Sequence, residues 1–113
     1  MSTMHEEIAA PLAPGILAIL VEARGFDTAL GEVVYFIRAE SGRVKIGTTV
    51  SLHRRVKQLR AMSATPLAVL GTVHGGRHLE RLLHITFATL RWGKSEWFEP
   101  HPTLLAFIKE FCQ

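Results

Sequence analysis

A stretch of basic residues without a single acid occupies the middle of the chain and stops at a glutamate. From Ser41 to Leu79 there are seven lysines and arginines and no aspartate or glutamate, and Glu80 follows directly. Residues 1–32 hold five acids and one base, whereas residues 80–113 hold four of each. The overall net charge of +3 therefore conceals a central block of +7. Such clustering favours a polyanionic partner over an ordinary solvated surface.

Glu80 and His84 are spaced to share one face of a helix, because they lie four residues apart. We expect Glu80 to serve a metal ion or a catalytic site. The alternative is an exposed glutamate that the helix dipole favours near a helix N-terminus. His84 is interpreted either as a supporting neighbour of that site or as a structural histidine of the core.

The composition excludes several other kinds of site. The chain has one aspartate, Asp27, and no asparagine, which excludes nucleases and phosphatases that hold metal ions with clusters of aspartates. A single cysteine, Cys112, excludes a disulfide framework and a zinc site built from four thiolates. No apolar run approaches the roughly 20 residues that span a bilayer, and the first residues are acidic. We therefore expect a cytoplasmic protein that does not enter a membrane.

The hydrophobic pattern predicts the α+β class, with a small three-stranded antiparallel sheet flanked by helices. Three segments rich in β-branched and aromatic residues predict the strands: Glu32–Ala39, Arg43–Gly47 and Leu67–Val73. The first two are joined by a turn at Ser41-Gly42 and form a hairpin. Helices are predicted after the N-cap Ser51, from His78 to Leu90, and from Pro102 onwards.

A further helix is predicted near the N-terminus, from Pro11 to Gly25. Its apolar surface is wider than one stripe, so we expect it to be buried against the domain or against a second copy of the chain. The chain is accordingly divided into a helical extension, residues 1–31, and one domain, residues 32–113.

Five short motifs then occur in one order along the chain. They are Val34-Tyr35-Phe36-Ile37, Val44-Lys45-Ile46-Gly47, Leu52-His53-Arg54-Arg55-Val56, Leu79-Glu80-Arg81-Leu82-Leu83-His84 and Ser95-Glu96-Trp97-Phe98. In their order and spacing, residues 32–111 resemble the GIY-YIG nuclease superfamily. The similarity is greatest to the branch whose second motif reads Lys-Ile-Gly, where phage-encoded DNA-binding domains and meiotically up-regulated-gene-like domains are found.

The resemblance implies a metal-dependent endonuclease that hydrolyses DNA phosphodiester bonds with one Mg²⁺ or Mn²⁺ ion. By position, Tyr35 matches the tyrosine that helps to activate water, Arg55 the arginine at the scissile phosphate, and Glu80 the metal-binding glutamate. An arginine offsets the negative charge that a phosphodiester gains in the transition state. Mg²⁺ prefers oxygen ligands and keeps several waters, so one glutamate with the substrate phosphate is enough. Nearby cations are expected to lower the pKa of Tyr35 from about 10.

The sequence departs from the family pattern at accessory positions. Lys45 stands where the second motif usually has a tyrosine; a lysine there can hold a phosphate or lower the pKa of Tyr35, and we assign it to the phosphate. Leu59 stands where some members have a histidine, and the late asparagine of other members is missing. Because of these departures, the alternative function is a DNA-binding module on the same fold that cuts weakly or not at all. A third alternative is an interaction or regulatory domain that dimerises through the N-terminal helix.

The other basic side chains of the central block are predicted to contact nucleic acid. Contacts of this kind hold the phosphate backbone and position a strand without reading its sequence. The residues are Arg43, Arg54, Lys57, Arg60 and Arg77. DNA is the expected partner and RNA the alternative. Trp97 and Phe98 are interpreted as core residues, with a base-stacking platform as the alternative.

Overall fold

The computed structural model describes residues 31–113 of the chain. The predicted helix Pro11–Gly25, and with it the alternative of a dimer formed through this helix, lies outside the described residues. Within residues 31–113 the secondary structure is mixed, so the predicted α+β class is confirmed. No helix in this part of the chain has both the length and the apolar character needed to cross a membrane.

Four antiparallel strands form a single sheet in the order β3-β1-β2-β4. They are β1 (Val33–Ala39), β2 (Val44–Thr49), β3 (Leu67–His74) and β4 (Trp97–Phe98). The prediction of three strands is therefore wrong by one. A strand of two residues is too short to show the alternation that identifies a strand in a sequence. It exists because Phe98 pairs with Val44, and Trp97 with Lys45, at the edge of β2.

Three helices accompany the sheet, namely α1 (Leu52–Met62), α2 (Arg77–Thr86) and α3 (Pro102–Phe111). The predicted helix from His78 to Leu90 is too long. Phe87 leaves helical geometry, with φ of −102° and ψ of 24°, and a separate 3₁₀ turn covers Ala88–Leu90. The other two predicted starts are correct, with Ser51 at the N-cap of α1 and Pro102 opening α3.

The two faces of the sheet are packed very differently. Alternate residues of β1 point to opposite faces. Val34 and Phe36 belong to the main core with residues of α2 and α3 such as Leu83 and Phe107. The other face carries a smaller cluster, in which Tyr35 and Ile37 of β1 are buried with Val56 of α1. The large core stabilises the domain, and the α1 face holds several of the polar residues described next.

Candidate active site

The α1 face of the sheet gathers side chains from three neighbouring strands. In the antiparallel register Tyr35 lies opposite Gly47, Ile37 lies opposite Lys45, and Lys45 lies opposite Trp97 on its other side. Residues directly opposite one another share a face. The phenol of Tyr35, the ammonium of Lys45 and the indole of Trp97 therefore belong to the same surface, which α1 borders.

Gly47 makes room for the ring of Tyr35. A Cβ atom built on Gly47 would lie 2.6 Å from Cζ of Tyr35, a distance that real Cβ contacts do not reach. The ring therefore lies across the backbone of the neighbouring strand, and Tyr35 is only 2% exposed. The role of Gly47 is therefore to leave space for the phenol.

The surroundings of Tyr35 keep its phenol protonated. Burial raises the pKa of Tyr35 above 10.0, the carboxylates of Glu96 and Glu80 raise it further, and only the guanidinium of Arg55 lowers it. The expectation that nearby cations lower this pKa, with Lys45 contributing, is wrong. Burial and two negative charges outweigh one arginine, and Lys45 is paired with a carboxylate. At neutral pH the phenol is therefore a hydrogen-bond donor.

Glu80 lies in the first turn of α2 and is partly withdrawn from water. Burial raises the pKa of the Glu80 carboxyl above 4.5, and the charge of Glu96 raises it further. His84, Arg77 and Lys45 act in the opposite direction. Glu96 thus acts on both Tyr35 and Glu80. A partly desolvated carboxylate is stabilised by nearby positive charge, so a bound cation could take the place of one of these basic side chains.

Glu96 is the member of this group that the sequence analysis did not single out. Its carboxylate Oε1 lies 2.9 Å from Nζ of Lys45, whose side chain is only 17% exposed. Its carbonyl oxygen accepts a hydrogen bond of 3.0 Å from the backbone N–H of Ile46, which continues the pairing of β2 beyond β4. Glu96 stands inside the motif Ser95-Glu96-Trp97-Phe98. Its position beside Lys45 becomes evident only from the pairing of β4 with β2.

His84 anchors α2 to the sheet. Its Nε2 lies 3.0 Å from the carbonyl oxygen of Ile46, and its ring packs against Phe98 with the centroids 5.1 Å apart. The same histidine lowers the pKa of Glu80. The interpretation of His84 as a structural histidine thus describes an observed contact, and its role as a supporting neighbour of a site at Glu80 stays a prediction.

The basic residues on the helices remain directed to solvent. On α1, Arg54, Arg55 and Lys57 are all exposed, and Arg55 is the one that acts on Tyr35. Adjacent helical residues project about 100° apart, so Arg54 cannot face the same point as Arg55. Within residues 31–113, Arg54 and Lys57 form no ion pair. Arg77 is exposed at the start of α2, close enough to Glu80 to affect its pKa.

Two residues of the predicted nucleic-acid-binding set also form contacts within the domain. The guanidinium of Arg43 lies 3.5 Å from the ring centroid of Trp92, and its Nε lies 3.8 Å from Oε2 of Glu99. Arg60 donates a hydrogen bond of 3.2 Å to the carbonyl oxygen of Leu67. The side chain of Arg43 therefore supports the fold beside the start of β2, and the side chain of Arg60 connects α1 with β3.

Trp97 and Phe98, which the sequence analysis took together, have different roles. Phe98 is completely buried in the main core. Trp97 lies half-buried on the opposite face, with Nζ of Lys45 5.6 Å from its ring centroid. The interpretation as a core residue is confirmed for Phe98, whereas the ring of Trp97 borders the polar group.

The carboxylates of Glu80 and Glu96 supply oxygen donors, which is the ligand type that Mg²⁺ and Mn²⁺ prefer. In residues 31–113 there is no group of three or more histidine, cysteine, aspartate or glutamate side chains arranged to enclose a metal ion. The donor set thus fits a cation held by one carboxylate together with water and a substrate phosphate. It does not resemble a closed structural metal site.

Comparison with known proteins gives one match. The family model described as T5orf172 domain matches residues 32–112, which is most of the chain and nearly all of its described part. No curated protein and no solved structure matches the chain.

Proposed function

Because the chain belongs to the T5orf172 domain family, we propose that it binds DNA and hydrolyses its phosphodiester bonds with one divalent metal ion. The family is related to GIY-YIG- and HNH-like phage endonuclease-type domains. The five motifs of the sequence support the GIY-YIG side of that relationship, in the branch with Lys-Ile-Gly as its second motif. The proposal has two parts, which are the binding of nucleic acid and the cleavage of its phosphodiester bonds.

One observation carries the proposal. Arg55 from α1 and Glu80 from α2 are both near enough to the phenol of Tyr35 in β1 to influence its pKa, so groups far apart in the sequence share one neighbourhood. Catalytic groups have to lie near one another around a reacting atom. An arginine, a tyrosine and a carboxylate are also the side chains to which the GIY-YIG resemblance gives roles in phosphodiester hydrolysis.

The proposed roles follow from the charges of these groups. Arg55 offsets the negative charge that develops on the phosphate oxygens, and Lys45 holds a phosphate oxygen once it is released from Glu96. Glu80 is the proposed ligand of Mg²⁺ or Mn²⁺, and such an ion, when bound, stabilises charge on the leaving oxygen. Tyr35 orients the attacking water, and it accepts a proton only when its pKa has fallen from the raised value of the free protein.

A second candidate function is a DNA-binding module that cuts weakly or not at all. The raised pKa of Tyr35 favours it, because a phenol becomes a useful base near neutral pH only where its surroundings lower its pKa, and here they raise it. The ion pair of Lys45 with Glu96 favours it as well, because the lysine is engaged before any phosphate arrives. In this alternative the exposed basic residues of α1 bind the phosphate backbone, and RNA competes with DNA as the ligand.

The two candidates are separated by incubating the protein with supercoiled plasmid and Mg²⁺. The variants Arg55→Ala and Glu80→Ala are matched by Lys109→Ala and Glu110→Ala, which remove exposed charges on α3. The nuclease proposal predicts nicking by the wild type and by the two controls, and loss of nicking in the two site variants. If the wild type binds plasmid without nicking it, the binding module is the correct function.

Binding is measured with labelled DNA and RNA duplexes of the same sequence at several salt concentrations. Binding through phosphate contacts releases counterions, so the affinity is expected to fall steeply as salt rises. An affinity that stays constant between low and moderate salt would contradict both nucleic-acid functions. The ratio of the DNA and RNA affinities then identifies the preferred partner.

A further inference from the structure

A cavity of about 340 Å³ opens on the α1 face of the sheet, next to the candidate active site. Its lining is mostly apolar and comes from β1, α1, the start of β3 and β4: Ile37, Leu59, Met62, Leu67 and Trp97, together with Lys45 and Ser63. We propose that this cavity binds an unstacked nucleobase of the strand whose phosphate lies at the candidate active site. The inference rests on the proposed nucleic-acid binding and names a binding site beyond it.

The indole of Trp97 provides the surface on which a base would stack. Trp97 is half-buried and walls the cavity, whereas its neighbour Phe98 points to the opposite face and is wholly buried. The lining also includes Met62, a residue that is 82% exposed at the end of α1. An exposed methionine and an aromatic ring that line the same cavity suit a flat, weakly hydrated ligand such as a base. Stacking of a base on an aromatic side chain contributes about 1–3 kcal/mol.

Lys45 belongs to both the cavity and the candidate active site. It lines the cavity, its Nζ lies 5.6 Å from the ring centroid of Trp97, and the same Nζ lies 2.9 Å from Glu96. Its charge also reaches Glu80. The ammonium therefore stands between the apolar cavity and the carboxylates. A nucleotide with its base against Trp97 would place its negatively charged phosphate beside Lys45, where the charges are complementary.

The size and the chemistry of the cavity limit what it can recognise. Its volume is at the lower end of the range for small-molecule pockets, which suits one ring system. The hydroxyl of Ser63 is already engaged, because it donates to the carbonyl oxygen of Thr65 at 2.8 Å and accepts from its N–H at 3.2 Å. The charged group in the lining is then the ammonium of Lys45. We therefore expect binding of the flat face of a base, with little discrimination between the four bases.

The test compares an oligothymidylate with an oligonucleotide of the same length in which every nucleotide is abasic. Both carry the same phosphates, but only the first carries bases. The wild type is expected to bind the oligothymidylate roughly tenfold more tightly, Trp97→Ala to lose that preference, and Trp97→Phe to keep most of it. Trp92→Phe is the matched control, since Trp92 is the only other tryptophan and lies outside the cavity.

A second measurement covers the case in which Trp97→Ala fails to fold. In the Trp92→Phe protein Trp97 is the sole tryptophan, and its fluorescence is expected to be quenched by oligothymidylate and unchanged by the abasic strand. Equal binding of the two oligonucleotides by the wild type, or a preference that survives in folded Trp97→Ala, overturns the base site alone. If the wild type binds neither oligonucleotide at low salt, the proposed function fails and the base site fails with it.

Discussion

The ammonium of Lys45 is held at 2.9 Å by the carboxylate of Glu96, a residue that the sequence separates from it by more than half the length of the domain. The pair exists because β4 lies beside β2, which brings Glu96, the residue before β4, next to Lys45. In the free protein the lysine that occupies the second motif is therefore already engaged by a carboxylate. A phosphate that binds there has to compete with Glu96.

Glu96→Gln is expected to strengthen DNA binding, because it releases Lys45 and removes a negative charge from the site. The expected gain at low salt is about fivefold, corresponding to an ion pair worth up to ~1 kcal/mol. Fluorescence anisotropy with a labelled duplex measures it, and Glu110→Gln on α3 serves as the control for net charge. Equal gains in the two variants would mean that only overall charge matters and that the ion pair does not restrain Lys45.

Tyr35 is expected to ionise above pH 10, since burial and two carboxylates raise its pKa. It is the only tyrosine in the chain, so the ultraviolet absorbance of tyrosinate reports on this residue alone. Glu96→Gln should lower the midpoint, and Arg55→Ala should raise it. Because the folded protein holds this proton more tightly than the unfolded chain, stability should fall as the pH rises beyond 10. A midpoint at or below 10 in the folded wild type contradicts the arrangement of charges described here.

Glu80→Gln is expected to stabilise the folded protein at pH 7 while abolishing cleavage. The pKa of Glu80 is raised in the folded state, so its ionised form costs free energy at neutral pH. The stability that this group contributes is complete below its ordinary pKa of 4.5 and is lost as the pH rises through the folded value. Thermal unfolding should thus show a higher Tm for the variant at pH 7 and no difference at strongly acidic pH. Glu110→Gln, on the exposed side of α3, should show no such dependence.

Gly47→Ala is expected to destabilise the domain by about 1–3 kcal/mol, since its methyl group would overlap the ring of Tyr35. The extra cost should largely disappear in the background of Tyr35→Ala, in which the ring is absent. Denaturant unfolding of the wild type, the two single variants and the double variant measures this coupling. Costs that simply add would show that the ring does not lie across Gly47.

Cys112 is expected to resist alkylation in the folded protein. Burial raises the pKa of its thiol from 9.0 to about 12, so the reactive thiolate is depleted roughly a thousandfold at a given alkaline pH. It is the only cysteine, so mass spectrometry after iodoacetamide treatment reports on it directly. Modification at pH 8 should be slow in the native protein and fast in denaturant. Equal rates in both states would place the thiol in solvent.

Much of the fold follows from local patterns in the sequence. The β-branched run of β1, the spacing of Leu52, Val56 and Leu59 on α1, and Pro102 at the start of α3 each identify an element without knowledge of its neighbours. The elements that the sequence analysis missed depend on contacts at long range. Strand β4 forms only because β2 offers an edge, and α2 ends early where Phe87 turns into the main core.

The candidate site likewise has a part that the sequence predicts and a part that depends on long-range contacts. The motifs locate Tyr35, Arg55 and Glu80, because each lies at a fixed distance from a strand or helix that the sequence reveals. The pKa of Tyr35 could not be inferred from them, since it depends on burial and on Glu96, which arrives through strand pairing. Likewise, neighbours in sequence such as Trp97 and Phe98 have different roles because adjacent strand residues face opposite sides of the sheet.

The unequal faces of the sheet bear on how such a domain can change over time. The core that holds the protein together is built with α2 and α3 on one side of the sheet, while Tyr35 and its cluster lie on the other side with α1. Lys45, Glu80 and Glu96 do not belong to the main core, although Glu80 stands on α2. A change between the two proposed functions by substitution of these residues would therefore not require the scaffold to be rebuilt.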